Sequence, residues 1–384
     1  MPVRVYLDWN ATSPPADEVT TAMREAAAIA WANPQSVHAD GRAARAVVEG
    51  AREAVAVLTG RDPRDVVLTS GGTEANNVAL RSAFAGEVAN DDPSARPVLV
   101  TSRLEHPSIT RVAEALEAER VARVVWLGVT PDGAVDLPSL DAALEGGARL
   151  VTAQAVSHET GVVQPVAEIV TRCRARGVRA HVDAIQAWGR VEVEGLTAAD
   201  SASLAAHKLR GPKGVGALVT SPRLPLAPVL VGGAQEKGVR PGTVDPVAAA
   251  GLGAAARRAV HTGAWARLAP LRDRLEARLA EIGARLGVSP VFVGAAAPRA
   301  PHVSTSCWPG WSGAELVAAL DLEGVSVSHG AACSAGTAEP SPALAAVVGM
   351  PLARSSVRVS MGETTTEDEV SFALAAFERV LSRA

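Results

Sequence analysis

The chain has 384 residues, with 37 Lys plus Arg against 41 Asp plus Glu and a formal net charge of −4, so it has no global pull toward nucleic acid or an anionic membrane, and any phosphate it binds needs a local site. Hydrophobic residues make up 48%, enough for a large core and against a disordered chain. The three cysteines, at 173, 307 and 333, show no CxxC spacing, which excludes a disulfide framework and points to no zinc or iron–sulfur site.

The first residues, MPVRVYLDWN, lack an apolar signal core, and no uncharged apolar run approaches the roughly 18 residues of a membrane span. The expectation is a soluble cytoplasmic protein with neither a membrane nor a nucleic-acid partner. A helix is predicted after Gly41, where Ala44, Val47, Val48, Ala51, Val55 and Leu58 form one apolar face before Gly60 stops it. Short β-branched runs then recur at Val66 to Ser70, Val98 to Ser102, Arg123 to Leu127, Arg149 to Gln154 and Ala180 to Ala184. They are nearly continuously apolar and alternate with alanine-rich helical segments, the pattern of a parallel sheet covered on both faces. The fold class is therefore α/β. The polar, proline-marked stretches Val88 to Pro97 and Ala295 to Pro301 read as loops. After about Gly253 the texture changes to leucines and Ile282 at steps of three and four from Leu268 to Leu286, which places a domain boundary before them. Thr366 to Glu369 forms a capping box that opens an amphipathic C-terminal helix carrying Val370, Leu374, Phe377 and Leu381.

Four segments carry residue types suited to chemistry. Ser70-Gly71-Gly72-Thr73-Glu74 joins a strand to a helix, so its N–H groups, the helix end and the Thr73 hydroxyl suit a phosphate, although the P-loop spacing is missing. Taken alone, a plain strand-to-helix turn is the commoner reading. Asp183 ends an apolar strand, where open α/β sheets bind ligands; it suits a cationic ring nitrogen or simply a cap on the next turn. Lys208 follows the small, apolar run Ser203 to Ala206. A desolvated lysine has a lowered pKa and forms Schiff bases, while a solvated lysine in a Lys-Gly-Pro turn is the plainer reading. Cys333 is flanked by small residues in Ser328-His-Gly-Ala-Ala-Cys-Ser-Ala-Gly336, which suits a sterically open, mobile loop and a nucleophile activated by its neighbours, while a buried small hydrophobe is the plainer reading of an isolated cysteine. Together these form the parts list of a pyridoxal phosphate (PLP) enzyme with an additional nucleophile.

The same segments, with YLDWNAT at Tyr6 to Thr12, NPQSVH at Asn33 to His38, TSGGTEANN at Thr69 to Asn77, Glu105-His106, HETGVVQP at His158 to Pro165, VDAIQ at Val182 to Gln186, HKLRGPKG at His207 to Gly214, RPGT at Arg240 to Thr243 and SSVRVSMG at Ser355 to Gly362, resemble cysteine desulfurases of the class V aminotransferase family, in the branch that supplies iron–sulfur cluster assembly. The resemblance runs over nearly the whole chain. It implies a fold type I PLP-dependent transferase, with a large, mostly parallel-sheet domain at 16–253 and a small α+β domain from 1–15 and 254–384, paired as a homodimer. It implies that Lys208 carries PLP, that Asp183 faces the pyridine nitrogen, that His106 stacks on the ring and that Gln186 bonds its phenolic oxygen. Gly72, Thr73, His207 and, from the other subunit, Thr243 would hold the phosphate, and Arg358 the carboxylate of L-cysteine. Cys333 would take the sulfur as a persulfide and pass it to an acceptor protein.

Three positions depart from the family pattern. His158 stands where Asn is usual beside cofactor and substrate, Ala205 replaces a serine, and Gln235 stands where His is common. Losing the serine's hydrogen bond to the phosphate costs about 0.5–1.5 kcal/mol. A selenocysteine lyase or another class V lyase is the alternative within the family, and a cofactor-poor regulatory homologue the alternative outside it. Cys173 and Cys307 are assigned to packing.

Overall fold

The computed structural model describes residues 4–222, 224–260, 263–330 and 340–383. The chain opens with β1 (Val5–Tyr6), α1 (Asp17–Ile29) and α2 (Ala39–Thr59), then alternates through β2 (Val66–Thr69), α3 (Gly72–Ala83), β3 (Val98–Ser102), α4 (Pro107–Ala118), β4 (Arg123–Leu127) and α5 (Leu137–Glu145). It continues with β5 (Ala148–Gln154), α6 (Val166–Ala175), β6 (Arg179–Asp183), β7 (Ser201–Ala205), β8 (Gly216–Thr220) and α7 (Pro246–Ala259). The last part holds α8 (Gly263–Ala266), α9 (Leu268–Arg285), β9 (Val291–Phe292), β10 (Val303–Cys307), α10 (Gly313–Leu322), β11 (Val325–Ser326), α11 (Pro342–Ala353), β12 (Ser356–Ser360) and α12 (Glu367–Leu381). Helix α2 begins two residues before Gly41, because His38 Nδ1 accepts the Gly41 N–H at 3.3 Å. It ends at Gly60, whose φ of 64° is the left-handed C-cap conformation that glycine adopts at least cost. The capping box at Thr366 and Glu369 is formed.

Seven strands form the main sheet in the order β2-β8-β7-β6-β5-β3-β4. All run parallel except β8, which is antiparallel to both β2 and β7. Successive residues of a strand point to opposite faces, and here both faces are covered. Val66, Leu68, Val98 and Val100 join a core under α2, α5, α6 and α7, while Val67, Leu99, Leu150 and Leu218 join a second core under α3 and α4. That two-sided burial is why these runs carry no hydrophobic–polar alternation.

A separate core gathers both chain ends. Val5, Leu7 and Trp9 pack with Leu268, Leu271, Leu275, Leu279 and Ile282 of α9, with Val357 and Val359 of β12 and with Phe377 of α12. Strand β1 pairs with β11, and β12-β10-β9 make a small antiparallel sheet. Helix α7 continues past position 253, and Ala254, Ala255, Ala256 and Ala259 belong to the core beneath the main sheet. The change of texture at Gly253 thus falls inside a helix, which alanine-rich sequence continues without a break. In the stretch 88–97 the chain makes a single 3₁₀ turn, Pro93–Ala95, capped by Asp92.

Among the described residues no helix is long and apolar enough to cross a membrane, and no group of three or more His, Cys, Asp or Glu side chains is placed to hold a metal ion.

Candidate active site

The carboxyl ends of β2, β3, β5, β6 and β7 converge on one cavity of about 200 Å³, with β12 of the small sheet closing it. This is where ligands bind in open α/β sheets, because the loops there spread apart beyond the strand ends. Gly72, Thr73, His106, His158, Asp183, Gln186, His207, Lys208 and Arg358 all line the cavity, as do Asn10, Gln154 and Ala205. Thr243 does not. It lies with Gln235 on a second, larger cavity of about 480 Å³ on this subunit's surface. Cys333 lies outside the described residues.

Asp183 ends β6 and is braced through both carboxylate oxygens. Its Oδ2 accepts from Asn76 Nδ2 at 2.8 Å and its Oδ1 from the Ile185 N–H at 3.1 Å. The second N–H of the Asn76 amide reaches Ser108 Oγ at 2.8 Å, and Asn76 Oδ1 lies 3.1 Å from His181 Nε2. Ser201 Oγ lies 2.8 Å from His181 Nδ1. One assignment satisfies all of these: Ser201 donates to His181 Nδ1, His181 Nε2–H donates to Asn76, and Asn76 donates to both Asp183 and Ser108. Burial pulls His181 down to about 3, so the ring is neutral, as this assignment requires. Asn76 stands one turn into α3, at the i+4 position from Gly72 on the same helix face.

Ser108 extends the chain of bonds to His106. Helix α4 is capped by His106, whose Nδ1 accepts the Ser108 N–H at 3.1 Å and lies 2.8 Å from Ser108 Oγ. Nδ1 therefore accepts and Nε2 carries the proton of the neutral ring. Burial first, and the neighbouring His158 second, pull His106 down to about 4. The two rings meet edge to face at 5.2 Å.

Lys208 follows β7 in a short 3₁₀ turn, Ala206–Lys208. Its ammonium donates to the Asn10 carbonyl and, at 2.7 Å, to the Ala11 carbonyl. His207 Nδ1 lies 3.2 Å from Thr12 Oγ1, and burial pulls this ring down to about 3, aided by the charge of Lys208. Across the cavity, helix α3 starts at Gly72. A Cβ there would fall 2.1 Å from Ile185 Cδ1 and 2.9 Å from its Cγ1, so the helix start packs this closely on Ile185, another residue lining the cavity, because residue 72 has no side chain.

On the β12 side, Arg358 is buried, with Nη2 on Asp8 Oδ1 at 2.7 Å and Nη1 on the His158 carbonyl at 3.0 Å. Its Nε has no hydrogen-bond partner among the described residues, and neither does either ring nitrogen of His158. His158 Nε2 is nonetheless 3.3 Å from Glu159 Oε1, which also accepts from Ser341 Oγ at 2.6 Å. Burial alone would raise the Glu159 carboxyl, but His158, Ser341 and Arg358 together hold it below the usual range.

Sequence reasoning passed over four groups that the structure places here. Asn10 and Asn76 are inside quoted motifs but carry no distinguishing feature. Asp8 pairs with Arg358 across 350 positions. Arg190 is fully buried and donates to Asn10, Gln186 and the Lys208 carbonyl. Burial pulls it down to about 9, against the opposing charge of Glu363, so it stays cationic at neutral pH. No spacing rule predicts that an arginine in Trp188-Gly189-Arg190 points inward.

The class-V aminotransferase family matches residues 5–372 of the chain. The chain belongs to this family. It is 38% identical over 371 residues to a cysteine desulfurase of Cereibacter sphaeroides, covering 96% of this chain and 93% of that protein. It is 36% identical over 413 residues to a selenocysteine lyase of Bos taurus, covering 99% and 94%. A solved structure described as a NifS-like protein superposes with a TM-score of 0.88 over 100% of both chains at 28% identity. The fold is that of the family's PLP-dependent enzymes, a large sheet domain joined to a smaller one.

The cavity fits PLP on its own chemistry. It offers a lysine amine, a carboxylate braced at a strand end, a helix N-terminus that begins at a glycine, and a neutral imidazole, all on one cavity. The dianionic phosphate suits the helix start, and the ring nitrogen suits Asp183.

Proposed function

We propose that this chain is a PLP-dependent cysteine desulfurase that converts L-cysteine to L-alanine and holds the removed sulfur as a persulfide on Cys333. The observation that carries the reading is the convergence of Lys208, Asp183, His106 and Arg358 on one cavity in a chain of this family. Lys208 would hold PLP covalently, Asp183 its ring nitrogen, Gln186 its phenolic oxygen, and Gly72, Thr73 and His207 its phosphate. When bound, PLP supplies an electron sink for bonds broken at the substrate's α- and β-carbons.

The chain's own residues do the rest. Arg358 binds the substrate carboxylate through N–H groups, its free Nε included, while Asp8 keeps the guanidinium in place. Lys208 removes the proton at the substrate α-carbon and later returns one, its amine being held at the cavity by main-chain carbonyls. His106 is neutral at physiological pH with its proton on Nε2, so that nitrogen serves as a hydrogen-bond donor on the cavity, while Ser108 holds Nδ1. The Cys333 thiolate then attacks the substrate sulfur. The S–S bond forms as the C–S bond breaks, the electron pair stays with carbon, and protonation of that carbon completes alanine. Cysteine and a thiol thus become alanine and a persulfide with atoms and electrons balanced.

The second reading, motivated by the relative named a selenocysteine lyase, is a lyase in which Cys333 would matter less. Non-reducing mass spectrometry after incubation with L-cysteine separates the two. The desulfurase reading expects one added sulfur on Cys333 and an equal amount of alanine, both lost in Cys333→Ala. Undiminished sulfide release by Cys333→Ala would sink it.

A homodimer completes the proposal. Thr243 stands away from this subunit's cavity, as a residue serving the partner's phosphate would, and Trp31, Val37 and Val231 are exposed apolar side chains at 72%, 86% and 98%. An acceptor protein in the cytoplasm would collect the persulfide sulfur. Sedimentation of the purified chain tests the dimer.

A further inference from the structure

Arg190 is a fully buried guanidinium whose hydrogen-bond partners, among the described residues, are all neutral oxygens, with the charge of Glu363 acting on it from further away. An arginine has five N–H donors in a fixed plane and no acceptor. Here all five have a partner. Nε donates to the Lys208 carbonyl at 3.0 Å. Nη1 donates to Gln186 Oε1 at 2.6 Å and to Asn10 Oδ1 at 3.3 Å. Nη2 donates to the Lys208 carbonyl and, at 3.4 Å, to the Trp9 carbonyl. The plane also lies over the Trp265 ring, 4.9 Å from its centroid. Trp9 and Trp265 belong to the small-domain core, Gln186 and Lys208 to loops of the main sheet.

The donor-only character of Arg190 decides which way two amides face. An atom 2.6 Å from a guanidinium N–H has to be the Gln186 oxygen, so the NH₂ of Gln186 faces away from Arg190. One of its hydrogens goes to the Asn10 carbonyl at 3.1 Å, and the other is left for the cavity that Gln186 lines. Asn10 is oriented in the same way: its Oδ1 accepts from Arg190 and from His302 Nε2 at 3.1 Å, and its NH₂ donates to the His158 carbonyl at 3.0 Å. The same guanidinium fixes the carbonyl of Lys208. A buried cation among neutral oxygens is costly to keep unless it does something an apolar residue would not.

We propose that Arg190 is a positioning residue for the cofactor, one that turns Gln186 into an obligate hydrogen-bond donor toward the cavity and locks the main chain of Lys208. The inference rests on the PLP reading above, because the donor it creates is matched to an anionic oxygen on the cofactor. Arg190 touches neither substrate nor cofactor; it acts through Gln186 and Lys208.

The test is reloading of the PLP-stripped full-length protein, followed by the visible absorbance of lysine-bound PLP, with the melting temperature of the stripped protein measured alongside. Arg190→Met is expected to weaken half-saturation by PLP about tenfold or more, and Arg190→Lys, which keeps the charge but has three donors, by about threefold. In a Gln186→Ala background the Arg190→Met effect should shrink to about half or less on a logarithmic scale, since the two act as a unit. A merely structural arginine would lower the melting temperature without that coupling. If Arg190→Met does not fold, Arg190→Lys is read alone in the same cycle. Wild-type affinity in the variants, or effects that multiply with Gln186→Ala, would overturn the inference while leaving the PLP reading intact. A wild-type protein that never develops the absorbance band would overturn both.

Discussion

On the Asp183 side of the cavity every polar group in the line Ser201, His181, Asn76, Ser108 and Asp183 has a partner at 2.8–3.1 Å. On the Arg358 side the pattern differs: Arg358 Nε, His158 Nδ1 and Glu159 Oε2 have no hydrogen-bond partner among the described residues, although all are buried, and His158 Nε2 meets only Glu159 Oε1, at 3.3 Å. A buried polar atom without a partner costs free energy, so proteins keep few of them and tend to keep them where a ligand completes the set. The hydrogen-bonded line through Asp183 is built like a permanent seat, although Glu105 Oε2 and Ser203 Oγ near it also lack a partner among the described residues, and the Arg358 side is built like a receptor. A cofactor that stays bound belongs on the first, and a substrate that comes and goes on the second.

The comparison breaks most visibly at Lys208. Lys208→Ala should lower turnover by about 10²–10⁴-fold and abolish the absorbance of lysine-bound PLP. A surviving band at its wild-type position would mean that another amine holds the cofactor. On the receptor side, Arg358→Lys keeps the charge opposite Asp8 but loses the fork; the KM for L-cysteine should rise about tenfold or more, with kcat changed far less. An unchanged KM would move the carboxylate site elsewhere.

On the seat side, Asn76→Ala would leave Asp183 Oδ2 and His181 Nε2 without these bonds and take one donor from Ser108, which keeps His106. The expected loss is about 1–3 kcal/mol of stability, measured by denaturant unfolding. A loss below the precision of that measurement would show that water replaces the amide, and that the satisfied network is not what holds Asp183.

The smallest effects concern pH, and the two signs oppose. His106, His181 and His207 are pulled from their usual 6.5 down to about 4, 3 and 3, chiefly by burial. Below 6.5 the unfolded chain binds protons that the folded chain refuses, so stability falls as pH falls from 6.5 toward those values. Glu105 goes the other way: burial, then the charge of Asp183, pushes it from 4.5 up to about 8. Between those values the unfolded chain releases a proton that the folded chain keeps, so stability falls as pH rises. Glu105→Gln removes that dependence. The stability of this variant relative to wild type should climb steadily from pH 5 to pH 8, and a constant difference across that range would refute the assignment.

How much of this was legible in the sequence differs from residue to residue. The five named strand runs and α2, α9 and α12 follow from periodicity and caps, because those signals are local and act over one or two turns. Strands β7 and β8 are harder to read: SASLA and GALVT are short, small and fully buried, with nothing in their composition to separate a strand from a helix. The antiparallel course of β8 depends on where β2 and β7 lie, which no local pattern encodes. Gly72, Thr73, Asp183, His207 and Lys208 could be read as site candidates because each ends or follows a strand, and strand ends in this architecture open on a common crevice.

The amino-acid sequence by itself determined the α/β class, the helix ends marked by Gly60 and Thr366, and the residue types available for the chemistry, since propensity, capping and charge are properties of neighbouring residues. Only the tertiary structure decided that Asn76 braces Asp183 from 107 positions away, that Asp8 meets Arg358, and that Arg190 spends all five donors on the elements around Lys208. Those contacts join segments far apart in the chain. A buried polar group takes whichever partner the packing brings within reach, and packing is a property of the whole fold. The acidic chain noted at the outset can hold an anionic cofactor for the same reason: the fold gathers N–H groups and a few buried cations at one place, and the net charge of −4 says nothing about that place.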